Sequence, residues 1–203
     1  AWNDITYGNG KYVAVSGGVI GYSSDGVNWT AKQVTGMWLY GVAYGNGKYI
    51  AVGGNESISY ICYSTDDVNW TTKQVSCRYL YGATYGNGKY IVMGDGGYIA
   101  YSTDGINWTS KIVGLITWAG GAYGNGKYVV IGNNGYIAYS TDDINWIMKG
   151  WPGNSELRQS IVYGNGKYIA VGYGGYITNS TDAVNWTINK IESVRLNRAC
   201  IYQ

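Results

Sequence analysis

The hexapeptide Tyr-Gly-Asn-Gly-Lys-Tyr occurs five times in this chain of 203 residues, and it constrains the fold more than any other feature. A second block, ending in Asn-Trp, follows each copy at a similar distance. A repeat of about 40 residues with about four short strands is typical of a β-propeller, in which each copy buries its apolar surface against its neighbours. The hexapeptides start at Tyr7, Tyr44, Tyr85, Tyr123 and Tyr163. We therefore expect one domain, spanning residues 1–203.

The third copy shows how one unit is predicted to fold. Residues 80–85, 89–93, 98–102 and 107–113 are expected to form four strands, which we call A, B, C and D. Asn87-Gly88 between A and B is the two-residue turn that tight hairpins prefer, because both residues tolerate positive φ. Regular strands separated by glycine turns, without helical periodicity, indicate an all-β fold. Each copy is thus predicted to be a four-stranded antiparallel meander, one propeller blade.

The copies predict five blades, at about residues 2–35, 36–76, 77–114, 115–154 and 155–192. Residues 195–202 then repeat the register of an A strand, so the chain has one extra inner strand at its C-terminus. This strand could close the ring by displacing residues 2–7 from the first blade. It could instead pair with another chain, since an unpaired edge invites partners, or the residues could belong to a longer array. We expect a five-bladed propeller closed within one chain.

Composition narrows the range of functions. Only 13% of the residues are charged and the net charge is +2, which is unlike the basic footprint of a nucleic-acid-binding protein. No apolar run approaches the length of about 18 residues that a membrane span needs. The chain has 23 Tyr and 9 Trp but no Phe and no His, so its aromatic surface is unusually able to form hydrogen bonds.

The block Ser-Thr-Asp-Gly-Ile-Asn-Trp, residues 102–108, resembles the Asp-box or BNR repeat, although it is one residue shorter between Asp and Trp. In that family the boxes are structural and lie away from the binding site. A carboxylate in this position accepts backbone N–H groups across the turn, and the Trp packs between sheets. We therefore interpret five aspartates as turn formers and assign them neither catalysis nor metal binding: Asp25, Asp66, Asp104, Asp142 and Asp182.

The whole repeat is also similar to propeller repeats of phage tail-fibre and bacterial surface proteins. This resemblance covers nearly the whole chain, and it implies a location outside the cell or on the virion surface.

In propeller geometry, the A–B and C–D turns share one end of the ring, which we call the turn face. The B–C and D–A connections share the other end, which we call the variable face because the D–A loops differ strongly between copies. Loops free of constraints from blade geometry are where binding residues are placed.

Aromatic and arginine residues concentrate on the variable face and are the usual anchors of recognition sites. The candidate ligand-binding residues are Trp38, Tyr40, Arg78, Tyr79, Tyr81, Trp118, Trp151, Arg158 and Arg198. Two alternatives remain open. Trp118 shares an aligned column with Trp2, Leu39 and Leu80, so this column could instead fill the core between blades, and core packing is also the alternative for Trp38, Tyr79 and Trp151. A second column, Tyr60, Tyr98, Tyr136 and Tyr176, is expected either to line shallow pockets or to pack between blades.

These features favour a non-enzymatic glycan-binding or adhesion module, whose partners are glycans or a cell-surface receptor. The alternative is a structural or protein-docking propeller, with self-association through the extra strand as one further possibility. A sialidase is the enzymatic candidate that the Asp-box resemblance suggests, and it implies an arginine triad and a Tyr–Glu pair. With four Arg, three Glu and no His, we expect no enzymatic activity. No cofactor or metal is expected, and the three cysteines show no metal or redox spacing.

Overall fold

The structure, a computed structural model, describes residues 1–150, 160–172 and 175–191, and in these ranges it consists of strands and turns without an α-helix. Two short 3-10 turns, Asp95–Gly97 and Asn133–Gly135, lie between strands. The strands are β1 (Trp2–Gly8), β2 (Lys11–Ser23), β3 (Thr30–Gly45), β4 (Lys48–Gly54), β5 (Ser59–Ser64), β6 (Thr71–Val75), β7 (Leu80–Gly86), β8 (Lys89–Gly94), β9 (Tyr98–Ser102), β10 (Thr109–Ile112), β11 (Trp118–Gly124), β12 (Lys127–Gly132), β13 (Tyr136–Ser140), β14 (Ile147–Gly150), β15 (Ser160–Gly164), β16 (Lys167–Val171), β17 (Tyr176–Ser180) and β18 (Thr187–Lys190).

Antiparallel pairing between consecutive strands organises the described residues into four sheets. Strands β1–β6 form one six-stranded sheet, and β7–β10, β11–β14 and β15–β18 form three four-stranded sheets. The prediction of an all-β fold built from four-stranded antiparallel units is confirmed. In the third copy, three of the predicted strands agree within one residue, whereas strand D starts at Thr109 and ends at Ile112. It starts late because Asn107 belongs to the hydrogen-bonded turn described below.

The six-stranded sheet differs from the predicted separation of the first two copies at residue 36. Strand β3 contains both the D strand of the first copy and the A strand of the second. The connection has no inserted loop, and Gly36, within β3, has a φ of +79°. Gly17 therefore pairs with Trp38 across the predicted boundary. Later copies have longer D–A loops, at residues 76–79 and 113–117, and there the sheets separate.

The Asn-Gly dipeptides form the predicted tight hairpins in all five copies. In the third copy φ is +45° at Asn87 and +77° at Gly88, and Gly86 pairs with Lys89 across a two-residue loop. Both central residues are in the left-handed region, which is the geometry of a type I′ turn. The five Asn residues have φ values between 41° and 48°, so the same local sequence produces the same turn five times.

The C–D turns are held by their aspartate, as the sequence predicts. Asp104 Oδ1 accepts hydrogen bonds from the backbone N–H groups of Ile106 and Asn107 at 2.8 Å, and Oδ2 accepts one from the Asn107 side chain. The hydroxyl of Ser102 donates to the same carboxylate. These hydrogen bonds, led by that from the Asn107 backbone, hold the pKa of Asp104 far below its ordinary value. The corresponding carboxylates accept the same bonds at Asp25, Asp66, Asp142 and Asp182.

Successive copies pack face to face through one repeated contact. The hydroxyl of Tyr49 donates to the carbonyl oxygen of Gly8 in the preceding copy, and Tyr90 donates in the same way to Gly45. A Cβ atom on Gly8 would lie 2.0 Å from the ring of Tyr44, so only glycine allows this approach. We call the side of a copy that contacts the preceding copy its leading face, and the opposite side its trailing face. The same hydrogen bond joins Tyr128 to Gly86 and Tyr168 to Gly124.

The A strands of the five copies surround a central cavity of about 500 Å³. Its walls include Asp4 of β1, Val42 of β3, Thr84 of β7, Ala122 of β11 and Ser160 of β15. Neighbouring A strands pack in chain order, β1 on β3, β3 on β7, β7 on β11 and β11 on β15. The predicted extra strand at residues 195–202 lies outside the described residues.

Candidate binding face

The two ends of this arrangement are chemically different. The turn face carries ion pairs between copies. Lys11, just after an A–B turn, forms an ion pair at 2.7 Å with Asp67 of the next copy's C–D turn. Lys89 and Asp143 repeat this pair at 2.6 Å. The A–B and C–D turns therefore share one end, as propeller geometry predicts. The five aspartates that hold the C–D turns are already occupied by hydrogen bonds within the chain.

On the variable face, three tyrosines from two consecutive copies form a cluster. The rings of Tyr79 and Tyr81 stack at an interplanar angle of 18°, with their centroids 5.7 Å apart. Tyr40 packs edge-on against Tyr79, with ring centroids 6.2 Å apart, and at a tilt of 50° against Tyr81, with centroids 5.5 Å apart. All three side chains are half-buried. We call these residues the tyrosine cluster.

Close approach of two A strands brings the tyrosine cluster together. A Cβ atom on Gly41, the residue after Tyr40, would lie 2.9 Å from the carbonyl oxygen of Tyr81, so only glycine lets β3 and β7 run this close. Tyr40 and Tyr81 occupy equivalent positions in their copies, whereas Tyr79 precedes β7 in the D–A loop. The cluster thus combines a repeated strand position with a residue that the variable loop supplies.

Burial and a nearby carboxylate affect the tyrosine hydroxyls. Burial, followed by the charge of Asp95, raises the pKa of Tyr81 to about 12, and burial also raises the pKa of Tyr40. Asp95 accepts a hydrogen bond from the hydroxyl of Thr117 at 2.7 Å, which connects two neighbouring copies on this face. The Tyr40 and Tyr81 hydroxyls therefore remain protonated and able to donate hydrogen bonds throughout the physiological pH range.

The remaining candidates on the variable face occupy different positions. Trp38 is 61% exposed, and its ring lies over Gly17 of the first copy, about 3 Å from where a Cβ atom on that glycine would stand. Arg78 is exposed beside Tyr79 and forms no ion pair with a described residue. Trp151, Arg158 and Arg198 lie outside the described residues. The structure therefore brings together Tyr40, Tyr79 and Tyr81, with Arg78 adjacent in sequence.

Trp118 is corrected from candidate ligand contact to core residue. Its side chain is fully buried within the core between the third and fourth copies, and its indole N–H donates to the carbonyl oxygen of Val113 at 2.9 Å. A residue with no exposed surface cannot contact a ligand without rearrangement of the core. Leu39 and Leu80 of the same column are also fully buried, so the alternative of a core-filling column holds for these three. Trp2 departs from it and is 55% exposed.

Three of the four members of the second tyrosine column pack between copies. Tyr98 is buried in the core between the second and third copies. Tyr60 packs against the core between the first and second copies, and Tyr136 against the core between the third and fourth. Tyr176 is half-buried, with the ammonium group of Lys190 5.4 Å from its ring centroid. Of the two interpretations of this column, inter-copy packing is the one that the structure shows for its first three members.

Sequence reasoning missed Asp95 and Thr117 as part of the variable face. Asp95 lies in the B–C turn of the third copy and Thr117 in the next D–A loop. The signal was available, because both types of connection are expected at the same end of the ring.

Within the described ranges, no three His, Cys, Asp or Glu side chains are grouped as metal ligands. Nor does any helix in those ranges have the length and apolar character needed to cross a membrane.

Comparison with known proteins identifies the fold. No protein-family profile and no curated protein matches the chain. Solved structures do: virginiamycin B lyase from Staphylococcus aureus is similar with a TM-score of 0.81 and 16% identity, over 97% of this chain and 73% of that one. The WD40 β-propeller domain of Doa1 has a TM-score of 0.75 and 13% identity, over 96% of this chain and 70% of that one. YCF48 bound to D1 peptide has a TM-score of 0.69 and 14% identity, over 93% and 66%. The chain thus has a β-propeller fold and spans about two thirds to three quarters of the length of these structures.

Proposed function

We propose that the chain is a non-enzymatic docking module whose variable face binds a protein partner. The tyrosine cluster is the observation that carries this proposal. Tyrosine is enriched among residues that dominate binding energy at protein interfaces, because it presents a large, rigid contact area together with a hydrogen-bonding hydroxyl. The exposed Arg78 next to the cluster adds the other residue type that is typical of such sites.

The arrangement of the rings favours a protein over a sugar as the partner. Stacking on a sugar requires a free aromatic face, and here Tyr79 and Tyr81 each cover one face of the other while Tyr40 packs against both. A wall of mutually packed rings instead offers edges and hydroxyl groups to a partner. The YCF48 structure contains a bound peptide and another similar structure is a nidogen–laminin complex, so propellers of this shape accommodate protein ligands.

The proposal includes five blades and a location outside the cell or on a virion. The five A strands around one cavity support the blade count, with the first two blades continuous through β3. The resemblance of the repeats to surface and tail-fibre proteins supports the location. The absence of catalysis is proposed from composition, since the chain contains no His and only three Glu.

The docking proposal is tested with a random peptide-display library selected on the immobilised protein. We expect the enriched peptides to compete with one another for one surface. Tyr79→Ala is expected to weaken the best peptide at least tenfold, which corresponds to about 1.4 kcal/mol or more. Ile106→Ala, which shortens an exposed side chain on the turn face, serves as the matched control and should leave the affinity unchanged. Peptides that tolerate Tyr79→Ala but lose affinity with Ile106→Ala would place the docking surface at the wrong end.

Glycan binding is the second candidate, and exposed Trp38 is the observation that favours it. Its ring rests on Gly17 with much of its surface free, which suits a sugar C–H face. A glycan array probed with the protein, Trp38→Ala and Tyr79→Ala separates the two candidates. Selective binding that only Trp38→Ala abolishes would support a lectin-like site at Trp38. An array without signal from folded protein would remove the glycan candidate.

A further inference from the structure

Asp95 lies beside the tyrosine cluster, and part of its carboxylate is unused. Its backbone N–H donates to the carbonyl oxygen of Tyr79 at 2.9 Å, so the B–C turn of the third copy lies directly against the loop that carries this ring. The hydroxyl of Thr117 donates to Oδ1 of Asp95 at 2.7 Å. The second oxygen, Oδ2, accepts no hydrogen bond from a described residue, and none of these residues forms an ion pair with it. The carboxylate is therefore held in place without being neutralised.

The charge at residue 95 is not needed to form the turn. Asn133 occupies the same position in the fourth copy, where its backbone N–H donates to the carbonyl oxygen of Thr117 at 2.9 Å, as that of Asp95 does to Tyr79. The Asp turns are different, because there the carboxylate of Asp104 itself accepts the bonds that hold the turn. Since a neutral amide supports the same backbone geometry, the negative charge of Asp95 is available to a ligand.

The tyrosine cluster supplies further groups that suit a cation. None of its three hydroxyls forms a hydrogen bond with a described residue, so their oxygens can accept N–H donors. Aromatic rings also attract cations that lie within about 6 Å of the ring centroid. The chain already uses this contact, since the ammonium group of Lys89 lies 5.6 Å from the ring centroid of Tyr101, and that of Lys190 lies 5.4 Å from Tyr176. A carboxylate beside three tyrosines is thus complementary to a positive charge.

We propose that an arginine side chain of the protein partner binds between Asp95 and the tyrosine cluster. This inference rests on the proposed docking function and names the chemistry of its partner. A guanidinium carries five N–H donors in one plane, so it can bond Oδ2 of Asp95 and a phenolic oxygen together while it lies against a ring. Arg78 of the chain itself is exposed and forms no ion pair with a described residue, so it leaves this carboxylate to the partner.

Two small probes test the site in the intact chain: N-acetyl-arginine amide, and N-acetyl-citrulline amide, which has the same shape without the charge. In NMR titrations, amide shifts at residues 79–82, 95–97 and 117 should change with the arginine probe and not with the citrulline probe. Asp95→Asn should weaken binding of the arginine probe about threefold or more. This variant should fold, because asparagine occupies the equivalent position in the fourth copy. Glu56→Gln neutralises an exposed carboxylate in the B–C loop of the second copy, and as the matched control it should leave binding unchanged.

The docking proposal and this inference fail in different ways. Docking fails if no selected peptide depends on Tyr79. The arginine site is overturned if the arginine probe causes no localised shifts, if the citrulline probe matches it, or if Asp95→Asn and Glu56→Gln respond alike. Arg78→Gln removes a neighbouring positive charge and should preserve or strengthen binding of the arginine probe, whereas a loss would contradict the site.

The selected peptides provide a second measurement of the same contact. Replacing the anchoring arginine of the best peptide with citrulline should lower its affinity for the unmodified protein more than for Asp95→Asn, because only the former retains the charge pair. Peptides that bind through Tyr79 but contain no arginine, or that lose the same affinity with both proteins, would preserve docking and overturn the arginine site.

Discussion

The turn face and the variable face are built from the same repeats but differ in how fully their polar groups are used. At the turn face, Asp104 accepts bonds from Ser102, Ile106 and Asn107, and the same network recurs in every copy. At the variable face, by contrast, the positions of Tyr79 and Arg78 carry different residues in the neighbouring copies: Trp38 and Met37 in the second, and Thr117 and Ile116 in the fourth. The comparison teaches that groups committed to internal hydrogen bonds stabilise the fold, whereas loops without that task are free to carry recognition.

Lowering the pH should affect the turn face most, because all five turn carboxylates respond together. Each has a pKa held below its ordinary value of 3.8 in the folded protein, chiefly by hydrogen bonds from the Asn three residues later. A group with a depressed pKa contributes stability above its unfolded pKa and loses that contribution as the pH falls toward its folded value. The free energy of unfolding, measured by urea titration, should therefore be nearly constant between about pH 5 and 7 and decrease below about pH 4. A protein equally stable at pH 2.5 and pH 7 would contradict this role.

Removing one turn carboxylate should have the next largest effect. Asp104→Ala deletes the acceptor of several hydrogen bonds, and it should clearly lower the free energy of unfolding because the backbone N–H groups of the turn lose their partner. Thr103→Ala changes an exposed neighbour in the same turn and is the control, with an expected change of about 0.5 kcal/mol or less. Chemical denaturation of both variants provides the measurement. Similar losses for the two would indicate that the carboxylate network is unimportant.

A single hydroxyl at an inter-copy contact should matter less. Tyr90→Phe removes the donor to Gly45 and leaves a buried carbonyl oxygen without this partner, at a cost of about 1–2 kcal/mol. Tyr85→Phe is a matched control, because its hydroxyl forms no hydrogen bond with a described residue. Thermal and urea denaturation should show a clear loss of stability for the first variant only. Equal stability of both would mean that water replaces the bond fully.

The variable face should show the opposite balance of stability and binding. Tyr79→Ala removes ring contacts with Tyr40 and Tyr81 and should lower the free energy of unfolding by about 1 kcal/mol. The same change should remove most of the affinity for a ligand of this face. Tyr79→Phe retains the ring contacts and should preserve stability. Affinity lost only in proportion to the fraction unfolded would argue against a binding role.

The sequence predicted the fold because the strongest signals in it are local. Asn87-Gly88 and Asp104 each determine a turn through their own backbone and near neighbours, so their structure is readable without tertiary information. The continuity of β3 across the first two copies was missed because it depends on pairing between Gly17 and Trp38, which are distant in sequence. Local pattern therefore predicts the turns better than it predicts sheet boundaries.

The candidate site was harder to predict, because its residues act through contacts between copies. Sequence reasoning placed Trp118 and Trp38 in one candidate group, although burial in the inter-copy core separates them. Proximity of Tyr40 to Tyr81 depends on how closely two A strands approach at Gly41, and the sequence alone does not give that distance. Identifying aromatic residues on the variable face was possible, but deciding which of them remain exposed required the packing.

The claim that the turn face stabilises the fold while the variable face binds the partner is tested most directly by hydrogen–deuterium exchange. The exchange is measured with and without the best selected peptide. The account predicts that binding protects amides in residues 38–41 and 77–82, while residues 102–108 of the third Asp turn exchange unchanged. Protection centred on the Asp turns, with residues 77–82 unaffected, would contradict it, because recognition would then lie on the face assigned to stability.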